Sequence, residues 1–238
     1  MRPVERGNWP QDIAGNNVQY SEYTQARGEL IERIGECCSY CEMHLDSSLA
    51  VEHVQPKKPP GAAVVNMARA LSWDNFLLAC TNCNSTKGDE DVSLLNYFWP
   101  DRDNTFRAFK YSVGGIVSAN PLLGSQDLID KATNTIELTG LDKHPLNDPK
   151  ASDRRWKNRR EVWDIAARSK TNLAKCDTPE MRDQITMTAT GYGYWSIWMT
   201  VFEDDTDMLQ RLINAVPGTS QQCFDHQQKP VARNGGQC

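Results

Sequence analysis

The sequence lacks any apolar run approaching the roughly 18 residues that a membrane-spanning helix requires, which excludes a helical membrane protein from the expectations. Its opening stretch, Met1 to Gln11, is polar and proline-containing and has no apolar signal core, so a cytoplasmic protein is expected. An excess of positive charge is missing too: 26 Lys and Arg stand against 31 Asp and Glu, a formal net charge of −5. Phosphate contacts supply most non-specific affinity for nucleic acid, so a free-standing DNA-binding protein is usually basic. The acidic balance counts against a protein that grips DNA alone and is compatible with one that borrows its grip from a partner. There is no internal repeat.

What is present suits one or two globular domains: 238 residues with 39% hydrophobic content. Eight cysteines would suit a secreted disulfide framework, but the missing signal and the spacing of four of them argue for metal instead. Cys38/Cys41 and Cys80/Cys83 form two C-x2-C knuckles separated by 38 residues. Each knuckle aims two thiolates at one ion, and two knuckles complete a closed tetrahedral site of structural zinc type. Such a site supplies folding energy to an irregular region and has no open position for a substrate. No thioredoxin-like βαβ pattern surrounds either pair, which disfavours a redox role. Cys37 is a conceivable substitute for Cys38, but C-x2-C is the commoner knuckle. Cys37, Cys176, Cys223 and Cys238 show no ligand spacing and read as reduced thiols.

The pattern predicts an α+β protein. An amphipathic helix is expected from Ser21 to Ile34 with Gly35 as its stop, then a strand over Ala50 to Val54 and a short helix around Val64 to Leu71. A second strand over Phe76 to Ala79 and a helix from Asn84 to about Asp91 complete a strand, strand, helix order. Lys110 to Val117 reads as a hairpin with a Gly-Gly turn. Helices are then expected over Asp127 to Leu138, Asp153 to Lys175, from Thr178-Pro179-Glu180 onward, and over Asp207 to Val216, followed by a polar, loose tail. Two regions are expected, 1–118 and a mostly helical 119–238.

Between the knuckles lie Glu52-His53 followed by Pro56, then Trp73-Asp74-Asn75; Asn84 and Lys87 trail the second knuckle. Neighbours on a strand point to opposite faces unless the strand bends. An isolated Glu-His pair is more often a solvated carboxylate beside a surface imidazole than a site. Set between two knuckles, and with both asparagines, the segment Cys38 to Gly88 resembles the HNH endonuclease superfamily, the ββα-metal nucleases, in the branch with paired Cys knuckles. The resemblance implies a zinc-stapled ββα-metal core and hydrolysis of DNA phosphodiesters, leaving 5′-phosphate and 3′-hydroxyl ends. It implies His53 as the general base, a role that an imidazole titrating near neutrality suits. It places Asn75 where that base is oriented or its loop braced, Glu52 and Asn84 as ligands of a catalytic metal, and Lys87 at a phosphate or as a helix-capping group. Asn84 stands where many members carry His; the resulting all-oxygen pair favours Mg²⁺ or Mn²⁺ over zinc and weakens the grip on it.

The opening Met1 to Gly7 and the helical second half are similar to the HNH subunits of Septu-type anti-phage systems. That resemblance implies an ATPase partner protein and a role in defence. Trp156, Trp163, Trp195 and Trp198 would then dock a partner, or else fill a core. Between Lys150 and Lys175 nine Lys and Arg face three Asp and Glu, a run that reads either as a DNA track or as a solvated helix face. The competing reading of the whole chain is a zinc-stabilised binding module for nucleic acid or protein without cleavage activity. It would have no need of an imidazole beside a carboxylate and two asparagines.

Overall fold

The structure, a computed structural model, describes residues 1–145, 147 and 153–238. A 3-10 turn at Tyr23–Ala26 runs into α1 (Arg27–Ile34), which buries Leu30 and Ile34 and stops at Gly35, φ 80°. The first knuckle follows, then β1 (Ala50–His53), the single turn α2 (Met67–Ala70) capped by the Asn66 side chain, β2 (Phe76–Ala79) and α3 (Thr81–Lys87). β1 and β2 pair antiparallel, Glu52 opposite Leu77 and His53 opposite Phe76. α3 starts three residues before the expected Asn84, because Cys80 caps it: the Cys80 sulfur accepts from the Cys83 N–H at 3.4 Å, so the second knuckle is also the helix's first turn.

A turn of helix, α4 (Thr105–Ala108), leads into the hairpin β3 (Phe109–Ser112) and β4 (Ile116–Ala119), with Gly114 and Gly115 at positive φ in the connection. The rest is helical: α5 (Gln126–Thr139), α6 (Arg155–Lys175), α7 (Pro179–Tyr192), α8 (Trp195–Val201) and α9 (Thr206–Ala215). Punctuation in the sequence sets the ends. Gly140 closes α5 in the left-handed conformation, and Thr178 caps α7 through its hydroxyl, with Pro179 in the first turn. No helix among the described residues is long and apolar enough to cross a membrane.

One hydrophobic cluster joins both halves of the chain. Leu30, Trp73, Phe76 and Trp99 belong to it, and so do Val162, Trp198, Phe202 and Leu212. Each such fully buried large side chain contributes about 1.5–3 kcal/mol. The position 118/119 falls inside β4, against which α5 and α6 pack.

Two expectations need correction. The tail is docked rather than loose. Asn104 donates to the carbonyls of Cys223 and Val231, and Arg233 reaches the Val4 carbonyl and the Glu5 carboxylate. The basic run is neither a continuous DNA track nor a wholly solvated face, because Arg155 and Arg159 are buried and hydrogen-bonded inside the fold. Lys150, where that run begins, lies outside the described residues.

Candidate active site

The two knuckles meet. The Sγ atoms of Cys38, Cys41, Cys80 and Cys83 lie within 4.8 Å of one another, and all four residues are buried. Cys41 and Cys80 sulfurs stand 3.7 Å apart. Tetrahedral zinc with Zn–S bonds of about 2.3 Å places its sulfurs about 3.8 Å apart, so donor type and spacing both fit one structural zinc ion. Accepting hydrogen bonds, first from Cys38, holds Cys80 far below the usual thiol range, while the hydrogen bond each makes with Cys38 pushes Cys41 and Cys83 well above it. Cys37 stays outside the cluster, its thiol pushed up to about 11 by burial.

The four cysteines join the first knuckle to the start of α3, Lys87 at the other end of α3 reaches Glu52 and His53 at the end of β1, and the candidate site lies there. A cleft of about 290 Å³ is lined by Glu52, His53, Lys57, Lys58, Asn84 and Asp89 among others. Larger clefts exist, and one of about 680 Å³ also gathers a Glu, a His and an Asn (Glu161, His44 and Asn158), but none of them is lined by Glu52, His53 or Asn84. Strand alternation sends the Glu52 carboxylate to α3 and the His53 ring toward Tyr23 and Phe76, whose ring centroids lie 4.9 and 5.3 Å away. The strand ends at His53, and both residues still line the cleft.

His53 Nε2 lies 3.1 Å from the carbonyl of Ala70 in α2. In the neutral ring that nitrogen carries the proton and donates, which leaves Nδ1 as the free base. Burial lowers the pKa of His53; the Ala70 carbonyl raises it, and the charges of Lys57 and Lys87 lower it further. Asn75 does not bond to the ring. Its Nδ2 donates to the carbonyls of Gln55 at 2.8 Å and Arg69 at 2.9 Å, and its Oδ1 accepts from the Gln55 N–H at 2.7 Å. It thus ties the loop after β1 to the residue preceding Ala70.

Glu52 and Asn84 both reach the cleft, the first buried and the second exposed. One carboxylate and one amide would offer a hard divalent ion an all-oxygen pair of donors. Burial raises the Glu52 pKa, and the Lys87 ammonium opposes that shift.

Lys87 is placed differently from a phosphate contact. Its Nζ is buried, 2.9 Å from Glu52 Oε1 and 2.8 Å from the His53 carbonyl. Cys83 and Lys87 share the buried face of α3 one turn apart, which aims the ammonium inward at β1. The cations that do face the cleft are Lys57, whose Nζ sits 4.0 Å from the Tyr23 ring centroid, and the exposed Lys58. Tyr23, the Ala70 carbonyl and the Lys57-Lys58 pair are site components that motif reading missed; of these, only the lysine doublet beside Pro56 left a signal in the sequence.

The chain matches no curated protein and no solved structure. Residues 38–90 match the family model described as HNH endonuclease, a span that opens on the first knuckle and closes just beyond α3. It contains the four-cysteine cluster, both strands of the first hairpin, and the Glu52, His53, Asn75 and Asn84 side chains. The chain therefore carries an HNH endonuclease domain at residues 38–90.

Proposed function

We propose that the protein is a metal-dependent endonuclease that hydrolyses DNA phosphodiesters with His53 as its base. The observation that carries this reading is the His53 ring, fixed through Nε2 on Ala70 with Nδ1 left free, in one cleft with Glu52 and Asn84. A ring held in one tautomer accepts a proton from water at a defined atom, and its lowered pKa keeps it neutral at working pH. Lys57 and Lys58 attract the phosphate backbone to the mouth of the cleft. Asn75 keeps the loop after β1 and the Ala70 peptide in register, so that the ring does not swing. Glu52 and Asn84 would hold Mg²⁺ or Mn²⁺, which when bound supplies positive charge to the pentacovalent phosphorane and the leaving oxygen. One such site cuts one strand, so nicks are the primary product.

The defence role and the ATPase partner gain no support from the fold: Trp195 and Trp198, two of the aromatics that would dock a partner, are core residues. The test of the nuclease reading is plasmid nicking with Mg²⁺ or Mn²⁺ by wild type and His53→Ala at equal zinc content. Nicking by the wild type alone supports it. Folded, zinc-loaded wild type that leaves the plasmid intact overturns intrinsic nuclease activity.

A further inference from the structure

Arg155 reaches from the first turn of α6 to the second zinc knuckle. Its Nη1 donates to Cys83 Sγ at 2.9 Å and to the Thr139 carbonyl at 2.8 Å. Nη2 donates to the Gly140 carbonyl at 2.9 Å and also to Asp153, and Nε donates to Asp153 Oδ2 at 2.8 Å. All five N–H groups of a side chain that is 2% exposed thus meet an acceptor, and one of them is a zinc-site sulfur.

Four thiolates around a divalent ion carry a net charge of about −2, and here they are buried. Uncompensated buried charge is costly, and a guanidinium donating to one sulfur offsets part of it. Arg159, one turn further along α6, is equally buried but touches no sulfur: it donates to the carbonyls of Gly115 and Leu141. α6 approaches closely because position 115 is glycine; a Cβ there would lie 2.3 Å from the Trp156 carbonyl oxygen. The first knuckle is gripped from the same half of the chain. The Tyr194 N–H donates to the Glu42 carbonyl at 2.7 Å, and the Glu42 carboxylate accepts from the Ser196 hydroxyl at 2.6 Å.

We propose that Arg155 is an outer-sphere positioning residue of the zinc centre, donating to the Cys83 thiolate and offsetting the charge of the four-sulfur site, so that metal and α6 are held as one unit. This does not depend on the nuclease reading. A hydrogen bond to a coordinating sulfur tempers its donor strength, but it also orients the lone pairs, offsets the buried negative charge and disfavours the protonated thiol that would let the ion go. Outer-sphere partners of this kind typically contribute about 10–100-fold to metal affinity.

The test uses the full chain loaded with Co²⁺, whose sulfur-to-metal charge-transfer band reports thiolate donor strength, together with chelator competition. Arg155→Met is expected to shift that band and to weaken metal binding about 10–100-fold; Arg155→Lys, which keeps the charge but not the planar fork, should shift the band by less. Arg159→Lys is the control for lost helix packing and should leave the band in place. An unmoved band in both Arg155 variants, or an equal shift in Arg159→Lys, overturns the proposal. Should Arg155→Met fail to fold, the unmodified protein still decides: the Arg155 side-chain N–H resonances must move when Cd²⁺ replaces Zn²⁺, and unchanged resonances overturn the assignment.

Discussion

Lys87 and Glu52 form a buried ion pair, with Nζ and Oε1 2.9 Å apart and side-chain exposures of 1% and 3%. The same ammonium holds the His53 carbonyl, so one cation ties α3 to the last two residues of β1. Removing one partner leaves the other charged and buried. Lys87→Met or Glu52→Gln should each destabilise the zinc-loaded protein by about 3–5 kcal/mol, whereas the double variant should lose less than the two single losses combined. Urea unfolding at saturating zinc measures both. Full additivity would mean that the pair is not coupled in solution.

The His53 base sets the acid limb of the proposed cleavage. A base must be neutral to accept a proton, so the rate rises with pH and levels off above the folded-state pKa. Burial, with the charges of Lys57 and Lys87, lowers that pKa below the model-peptide value of about 6.5 despite the Ala70 carbonyl. The half-maximal rate should therefore fall below about pH 6.5. Lys57→Ala removes one lowering charge and should move the limb upward. A limb above about 6.5 in the wild type, or a downward move in Lys57→Ala, would contradict the assignment.

Lys57 and Lys58 are assigned to phosphate because Lys87 faces inward. Each phosphate contact adds about 0.9 to the slope of log affinity against log salt on duplex DNA. In a His53→Ala background, replacing both lysines by alanine should reduce the slope by about 2 and weaken binding without regard to sequence. Fluorescence anisotropy across a salt series gives the number. An unchanged slope would place the backbone track elsewhere.

The parts of this architecture that follow local rules were legible in the sequence. β2 occupies the four apolar residues Phe76–Ala79 as expected, since Asn75 and Cys80 bound the run. The knuckle spacing identified the four buried sulfurs, and Gly35 and Thr178-Pro179 marked helix ends. What escaped depends on partners far away in the chain. A lysine one turn after a knuckle reads as exposed, because lysines are almost never fully buried unless paired, and its partner Glu52 lies 35 residues earlier. Arg155 reads as one charge of a run that is either a DNA track or a solvated face, and its partner Cys83 lies 72 residues earlier. The polar tail has no periodicity to reveal that Asn104 and Arg233 fasten it. Backbone acceptors such as the Ala70 carbonyl carry no residue-type signature at all.

Asn75 supports His53 through the backbone rather than by touching the ring, and that separates its effects from those of a metal ligand. Asn75→Ala leaves the Gln55 N–H and the carbonyls of Gln55 and Arg69 without their side-chain partner. Part of that deficit is recovered by water, since the bonds are only partly buried. A loss of about 2–3 kcal/mol in stability is expected. The Ala70 carbonyl that fixes Nε2 follows directly on Arg69, so loosening residue 69 lets the ring sample unproductive orientations. The cleavage rate should fall while the Mg²⁺ or Mn²⁺ concentration for half-maximal rate stays unchanged, because neither Glu52 nor Asn84 bonds to Asn75. Titrating the metal against single-turnover cleavage in wild type and Asn75→Ala checks this; a rightward shift in the metal requirement would instead tie Asn75 to the metal ligands.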